Sequence, residues 1–313
     1  MAEITAALVK ELRERTQAGM SDCKNALVES GGDLDKAVEI ILKKGIVKAA
    51  SRAGRVATEG EVRTSVTTDG KRGFIVEVNC QTDFVARGDA FKDFVTKVLD
   101  LASSAKPGSD LLTLKYPGTD RSVDEVRQEL VAKTGENCVL RRWEGLEALG
   151  AGGLVHAYIH MGGKLAVLLS AEAPSADAAK SEAFRTFVDN TAMQIAAMNP
   201  LVVRNEEIPA AQVEKQREIF AAQLKEEGTK APEAQWPKII DGKVAKWFNE
   251  VSLLGQESVT EPGNTIEKLA TELGKTLGGA VKLHKFVRFG LGEGIEKAAG
   301  DDLATEVMKM AGG

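Results

Sequence analysis

The 313-residue chain holds three cysteines, three histidines and no long apolar run, and each shortage removes a class of function. Cys23, Cys80 and Cys138 are an odd, widely spaced set without a Cys-x-x-Cys pair, so no disulfide framework can be read from them. They are expected to be reduced thiols that pack as small buried hydrophobes. No window approaches the roughly 20 uninterrupted apolar residues of a membrane span. The opening residues, Met1-Ala2-Glu3-Ile4, place an acid where a secretory leader is basic, and a cytoplasmic location is expected. A net charge of −5 argues against a chain whose main business is coating nucleic acid or an anionic membrane. What remains is 43% hydrophobic and 28% charged, enough for a buried core in two or three domains.

Residues 4 to 45 read as three short helices. Ile4, Leu8 and Leu12 share one face of the first, which ends near Gly19. Ser21 is expected to cap the second, which carries Ala26 and Leu27 and stops at Gly31-Gly32. Asp33 is expected to cap the third, with Leu34, Ala37, Val38 and Ile41 on one face and Gly45 closing it. The basic stretch from Lys43 to Gly60 reads as a solvated linker helix; it has no interleaved aromatics for base stacking.

Beyond the linker the chain repeats itself. An offset of 93 residues (153 − 60) pairs Gly60 with Gly153, Gly70-Lys71 with Gly163-Lys164, and Phe91 and Phe94 with Phe184 and Phe187. Each half therefore reads as a hairpin turning at its Gly-Lys pair, followed by a helix packed by two phenylalanines. Further on, Val123, Val126, Leu130, Gly135 and Leu140 match Ile266, Leu269, Leu273, Gly278 and Leu283 at an offset of 143 (266 − 123). The second half thus carries an insertion near 200–255. Its stripes of Val213, Phe220 and Leu224, and of Trp236, Ile240, Val244 and Trp247, predict a projecting helical hairpin. The expected architecture is α+β. It comprises a three-helix N-terminal domain (1–50, linker to 59), a first core half (60–150), a second (151–295) with antiparallel sheets in both, and a C-terminal helix (296–313).

Enzyme-like fragments dissolve on inspection. Gly274-Lys275-Thr276 lacks the glycine five positions earlier that a phosphate loop needs, since Leu269 stands there. The Gly290–Gly294 run lacks dinucleotide spacing and reads as a turn. His156 and His160 fall in an expected strand without a third ligand nearby, so neither metal nor cofactor is expected. No serine or cysteine shows a convincing base and orienting acid.

The informative stretch is Gln81-Thr82-Asp83-Phe84-Val85-Ala86-Arg87. Taken alone, Thr82 could cap a turn and Phe84 could belong to the core. The repeat decides between core and surface. Thr82 aligns with Ser175, which keeps the cap, whereas Phe84 aligns with Asp177. A position that accepts aspartate is a poor core position, so Phe84 is expected at an exposed loop tip, where a rigid aromatic makes a good anchor.

The run Glu77-Val78-Asn79-Cys80-Gln81-Thr82-Asp83-Phe84-Val85-Ala86-Arg87 resembles the signature of the elongation factor Ts family. So does Leu12-Arg13-x-x-Thr16-x-x-Gly19-Met20-x-Asp22-Cys23-Lys24-x-Ala26-Leu27. The resemblance implies a ubiquitin-associated-like N-terminal bundle, a duplicated core and elongation factor Tu as partner. It also implies that Asp83 and Phe84, flanked by Thr82 and Val85, press into that partner's nucleotide domain and disturb its magnesium and phosphate sites. Arg13, Met20 and Lys24 match the N-terminal contact motif, and His160 and Val259 match contact positions of the second half. Ser21 and Thr260 depart from the family's usual residues. The implied activity is guanine-nucleotide exchange without direct nucleotide binding, with the hairpin a candidate for homodimer contacts. The rival readings are a protein-binding scaffold built on a ubiquitin-associated-like module, and an enzyme using His156 and His160 as metal ligands.

Overall fold

The computed structural model describes residues 4–16, 18–227 and 232–296; the C-terminal helix expected from Asp301 to Met310 lies outside them. Three helices open the chain: α1 (Ala6–Thr16), α2 (Met20–Glu29) and α3 (Leu34–Arg52). Leu12, Cys23, Ala26, Leu27 and Ala37 close a small core between them, with Leu8, Leu34, Val38 and Ile41 packed around it. Asp33 caps α3, its carboxylate accepting from the amides of Asp35 and Lys36, both at 3.1 Å.

Two boundaries differ from expectation. Helix α2 starts at Met20, with Gly19 extended before it (φ −61°, ψ 146°), so Ser21 lies inside the first turn rather than at the cap. Gly45 does not end α3, which runs on to Arg52 and lies against α6 (Val123–Thr134). A glycine within a helix costs roughly 1 kcal/mol, which tertiary packing readily offsets.

The rest of the chain is α+β and duplicated. In the first half come β1 (Glu59–Val66), β2 (Arg72–Cys80), the five-residue α4 (Asp83–Arg87), α5 (Asp89–Ser104), α6 and β3 (Val139–Glu147). The second half gives β4 (Gly153–His160), β5 (Leu165–Glu172), α7 (Glu182–Met198), an inserted pair α8 (Ala210–Glu226) and α9 (Trp236–Val251), then α10 (Ile266–Leu277) and β6 (Lys282–Gly290). Helices α6 and α10, and strands β3 and β6, correspond residue for residue at the offset of 143. The sheets have matching orders, β1-β2-β3 and β4-β5-β6. Strands β4 and β5 are antiparallel, paired from Gly153 with Glu172 to His160 with Leu165. The turns fall at the expected glycines: Gly70 (φ 68°) and Gly163 (φ 94°) adopt the left-handed backbone that a side chain would strain.

Phe91, Phe94, Val95, Val98 and Leu99 form the buried stripe of α5. In the second half Phe184, Val188, Ala192 and Ile195 of α7 pack on Val167, Leu169 and Ala171 of β5. Helices α8 and α9 form the hairpin read from the sequence, tied by Arg217 to Asp241 at 2.7 Å and by Lys243 over the Phe220 ring at 5.9 Å. The chain divides into two compact units. One draws on residues up to Arg63, Ile75–Glu144 and Phe289 onward; the other comprises Thr64–Phe74 and Gly145–Arg288.

Candidate functional site

Helix α4 is built to hold one side chain outward. Thr82 is extended (φ −124°, ψ 155°) and caps it, the Thr82 hydroxyl oxygen accepting from the Val85 amide at 3.4 Å. The same residue is fastened from outside the helix: Glu136 accepts from the Thr82 amide at 3.0 Å and from its hydroxyl at 2.6 Å. One residue earlier, the Gln81 side-chain Oε1 accepts from the Asn137 backbone amide at 2.9 Å. Asp83 pairs with Arg87 at 2.9 Å, one turn along, and the Gly88 amide closes the helix on the Val85 carbonyl at 3.0 Å. Phe84 is left 83% exposed. Burying such a ring is worth about 1.5–3 kcal/mol, and this fold forgoes it. The sequence placed Phe84 at a loop tip; the structure places it on a short capped helix, which fixes its direction more firmly.

The second half shows what the position looks like without the ring. Ser175 keeps the cap, accepting from Ala178 at 3.1 Å, and Asp177 stands where Phe84 does, paired with Lys180 at 2.9 Å.

Of the other residues singled out, Met20 is the first of α2 and 52% exposed, and Lys24 is exposed one turn on, so the two share a face. Arg13 is exposed on α1. In the other unit, His160 ends β4, where its ring stacks on Tyr158 (centroids 6.1 Å) and Nδ1 meets the Tyr158 hydroxyl at 3.2 Å. Val259 is 44% exposed on the loop before α10, its amide donating to Gln194 Oε1 at 2.8 Å. Thr82 to Val85 thus form one turn, Met20 and Lys24 one face, and His160 and Val259 lie on separate elements of the second unit.

Supporting residues went unread in the sequence. Glu136 is 54 residues from Thr82, and no local pattern marks it. Gln194 is buried on α7 and holds the Val259 loop by donating to Gln256 and to the Glu257 carbonyl, both at 3.1 Å. Glu77 is fully buried on β2, where its carboxylate accepts from Arg141 at 2.9 Å, from Arg142 at 2.5 Å and from the Gly292 amide at 2.8 Å. Burial pushes its pKa up, but the Gly292 amide and the two guanidiniums hold it below the ordinary 4.5. The only available signal was a charge set among Phe74, Ile75, Val76 and Val78. This cluster clasps the Gly290–Gly294 turn against the sheet, a structural use for that glycine run.

The enzyme-like fragments find structural partners. His156 meets Asp189 at 2.9 Å, and His160 lies four strand positions on, roughly 13 Å away, too far to share a metal with it. Gly274 lies near the end of α10, where a Cβ would meet the Gly279 carbonyl at 2.6 Å. Burial pushes the Cys80 thiol up to about 12 and Cys138 to about 11, so neither is a nucleophile near neutral pH. Among the described residues no helix is long and apolar enough to cross a membrane.

Comparison with known proteins agrees with these motifs. The family model described as Elongation factor TS matches residues 81–293. The chain is 44% identical over 312 residues to Elongation factor Ts of Symbiobacterium thermophilum, covering 100% of this chain and 99% of that one. It is 44% identical over 311 residues to the Clostridium perfringens SM101 protein of the same name, covering 99% of each. For the Nitratiruptor protein, also named Elongation factor Ts, the identity is 45% over 305 residues, covering 97% of this chain and 98% of that one. From Thr82 and its Glu136 clamp to the duplicated halves around it, the chain is a member of the elongation factor Ts family of translation elongation factors.

Proposed function

We propose that this chain promotes release of GDP from elongation factor Tu, and that the Asp83–Phe84 turn is the part that disturbs the nucleotide site. The observation that carries the reading is the exposed Phe84 ring on a helix clamped at both Gln81 and Thr82. Such a ring arrives pre-positioned, so little ordering cost falls on the complex. Arg13, Met20 and Lys24 are the proposed contacts of the N-terminal helices, and His160 and Val259 those of the second unit. Contacts spread over several patches offset the strain imposed at the partner's magnesium site.

No chemistry by this chain is required. A partner that binds the nucleotide-free GTPase better than the loaded form must weaken nucleotide binding by the same factor. The chain itself binds no nucleotide or metal in this reading, and it works in the cytoplasm. The α8–α9 hairpin is proposed as an add-on arm for contact between copies; replacing residues 205–250 by a short Gly-Ser link should alter sedimentation while exchange persists.

The direct test is to load elongation factor Tu with a fluorescent GDP, add excess unlabelled GDP and follow the signal with and without this chain. Acceleration that grows with chain concentration supports the reading. An unchanged release rate at saturating chain would refute it.

A further inference from the structure

The duplication exposes a difference between the halves that the family assignment does not address. In each half a short loop precedes the second core helix and is pinned in the same way. The Val123 amide donates to the Leu114 carbonyl at 2.9 Å, as Ile266 does to Gln256 at 3.1 Å; Tyr116 donates to Arg121 as Ser258 does to Asn264, both at 2.8 Å. The isolated bridges agree, Lys115 with Ser122 and Glu257 with Thr265. Tyr116 and Ser258 therefore occupy equivalent places.

Their side chains do opposite things. Tyr116 is 4% exposed and stacks on Phe94 of α5, ring centroids 5.8 Å apart and planes 13° apart, with Lys97 above it at 5.7 Å. Phe94 is buried as a result. In the second half Phe187 is the counterpart of Phe94, and serine supplies no ring. A groove of about 450 Å³ opens there between α7 and α10, floored by Phe187, Ile266, Leu269 and Leu273. Phe187, Leu269 and Leu273 are only half-buried. Lys97, paired with Asp93 at 3.0 Å, is matched by Asn190, and Asp93 by Thr186; the rim carries the exposed carboxylates of Glu182, which matches Asp89, and of Glu261.

We infer that this groove receives an aromatic side chain of the partner GTPase, flanked by a lysine or arginine, as the first half receives its own Tyr116. This rests on the exchange-factor reading above. Three observations converge on that occupant. The first half shows that a ring on this phenylalanine completes the packing. The rim keeps an acid, Glu182 standing where the first half has Asp89, and adds Glu261, but it has Asn190 in place of Lys97, so the incoming ring brings its own cation. The exposed Val259 sits between the groove residues Ser258 and Thr260, which makes the groove continuous with a proposed contact.

Two variants plug the groove. Ser258→Tyr supplies within the chain the ring that position 116 supplies in the first half. Thr186→Trp lays an indole over the groove from its exposed lip and leaves the Ser258 hydrogen bonds intact, so it keeps the test sound if the first variant folds poorly. Each is titrated against GDP-loaded elongation factor Tu by calorimetry beside the native chain. Folded plugged variants should bind roughly tenfold or more weakly than the native chain. Equal affinity would overturn the groove assignment and leave the exchange reading standing. No binding by the native chain would overturn both. Plugs that abolish a dimer in sedimentation while partner affinity stays native would give the groove to a second copy instead, and the inference would fall.

Discussion

Glu136 accepts two hydrogen bonds from Thr82, one from its amide at 3.0 Å and one from its hydroxyl at 2.6 Å. One carboxylate thereby fixes both the backbone and the side chain of the residue that caps α4, and the direction of Phe84 follows from it. Hydrogen bonds to a charged acceptor contribute about 1.5–3 kcal/mol when the partner is shielded.

Removing that carboxylate should separate position from identity. Glu136→Ala is expected to cost up to about 3 kcal/mol of stability and to reduce stimulation of GDP release, although Phe84 is untouched. Glu136→Gln, which keeps an acceptor, should recover part of both. Full exchange activity in Glu136→Ala, with melting lowered, would show that the clamp serves the fold alone.

Glu77 sets an acid limit on the first unit. Its folded-state pKa lies below the ordinary 4.5, so its contribution is fully present above that value and is lost as pH falls through the folded pKa. Glu77→Gln at pH 7 removes the charge that Arg141 and Arg142 share and leaves one neutral amide oxygen where each had a carboxylate oxygen. The cost should approach but not exceed about 3–5 kcal/mol, since both arginines reach solvent. Chemical denaturation at pH 7 and pH 4 checks this: the gap between native and variant should narrow at the lower pH.

Two of the thiols give the opposite pH signature. Burial raises Cys80 to about 12 and Cys138 to about 11 from an ordinary 9.0. A neutral thiol is favoured in the fold, so their contribution is intact below pH 9.0 and is lost as pH climbs through 11 and 12. At pH 8 neither should take up iodoacetamide until denaturant is added. Mass spectrometry of the labelled peptides decides it, and rapid labelling of either cysteine in the native chain would contradict the packing.

Much of this was legible because the chain carries its own comparison. The Gly60–Gly153 offset fixed the hairpins, and the Ile266 offset fixed α6 and α10 to the residue. The exposed side of Phe84 followed from an aspartate at Asp177. What escaped were features that depend on distant packing. Nothing near Gly45 reveals that α6 lies alongside to carry the helix past it. The same offset pairs Tyr116 with Val259 in sequence, whereas backbone hydrogen bonds pair it with Ser258, because the loop of the second half is one residue longer. A one-residue shift in a loop is invisible to an ungapped alignment, and the groove over Phe187 stayed hidden with it.

The central claim is that Phe84 acts on a partner and not on the fold. The measurement is Phe84→Ala beside Phe91→Ala, the buried residue of α5, each followed by thermal melting and by stopped-flow release of fluorescent GDP from elongation factor Tu. An exposed ring truncated to alanine should change stability by about 0.5 kcal/mol or less, whereas the buried one should cost about 3–5 kcal/mol. The account predicts that Phe84→Ala melts within a few degrees of the native chain and loses most of its stimulation, the loss in binding or exchange reaching roughly 2 kcal/mol. A Phe84→Ala chain that melts early, while its folded fraction still releases GDP at the native rate, would contradict it.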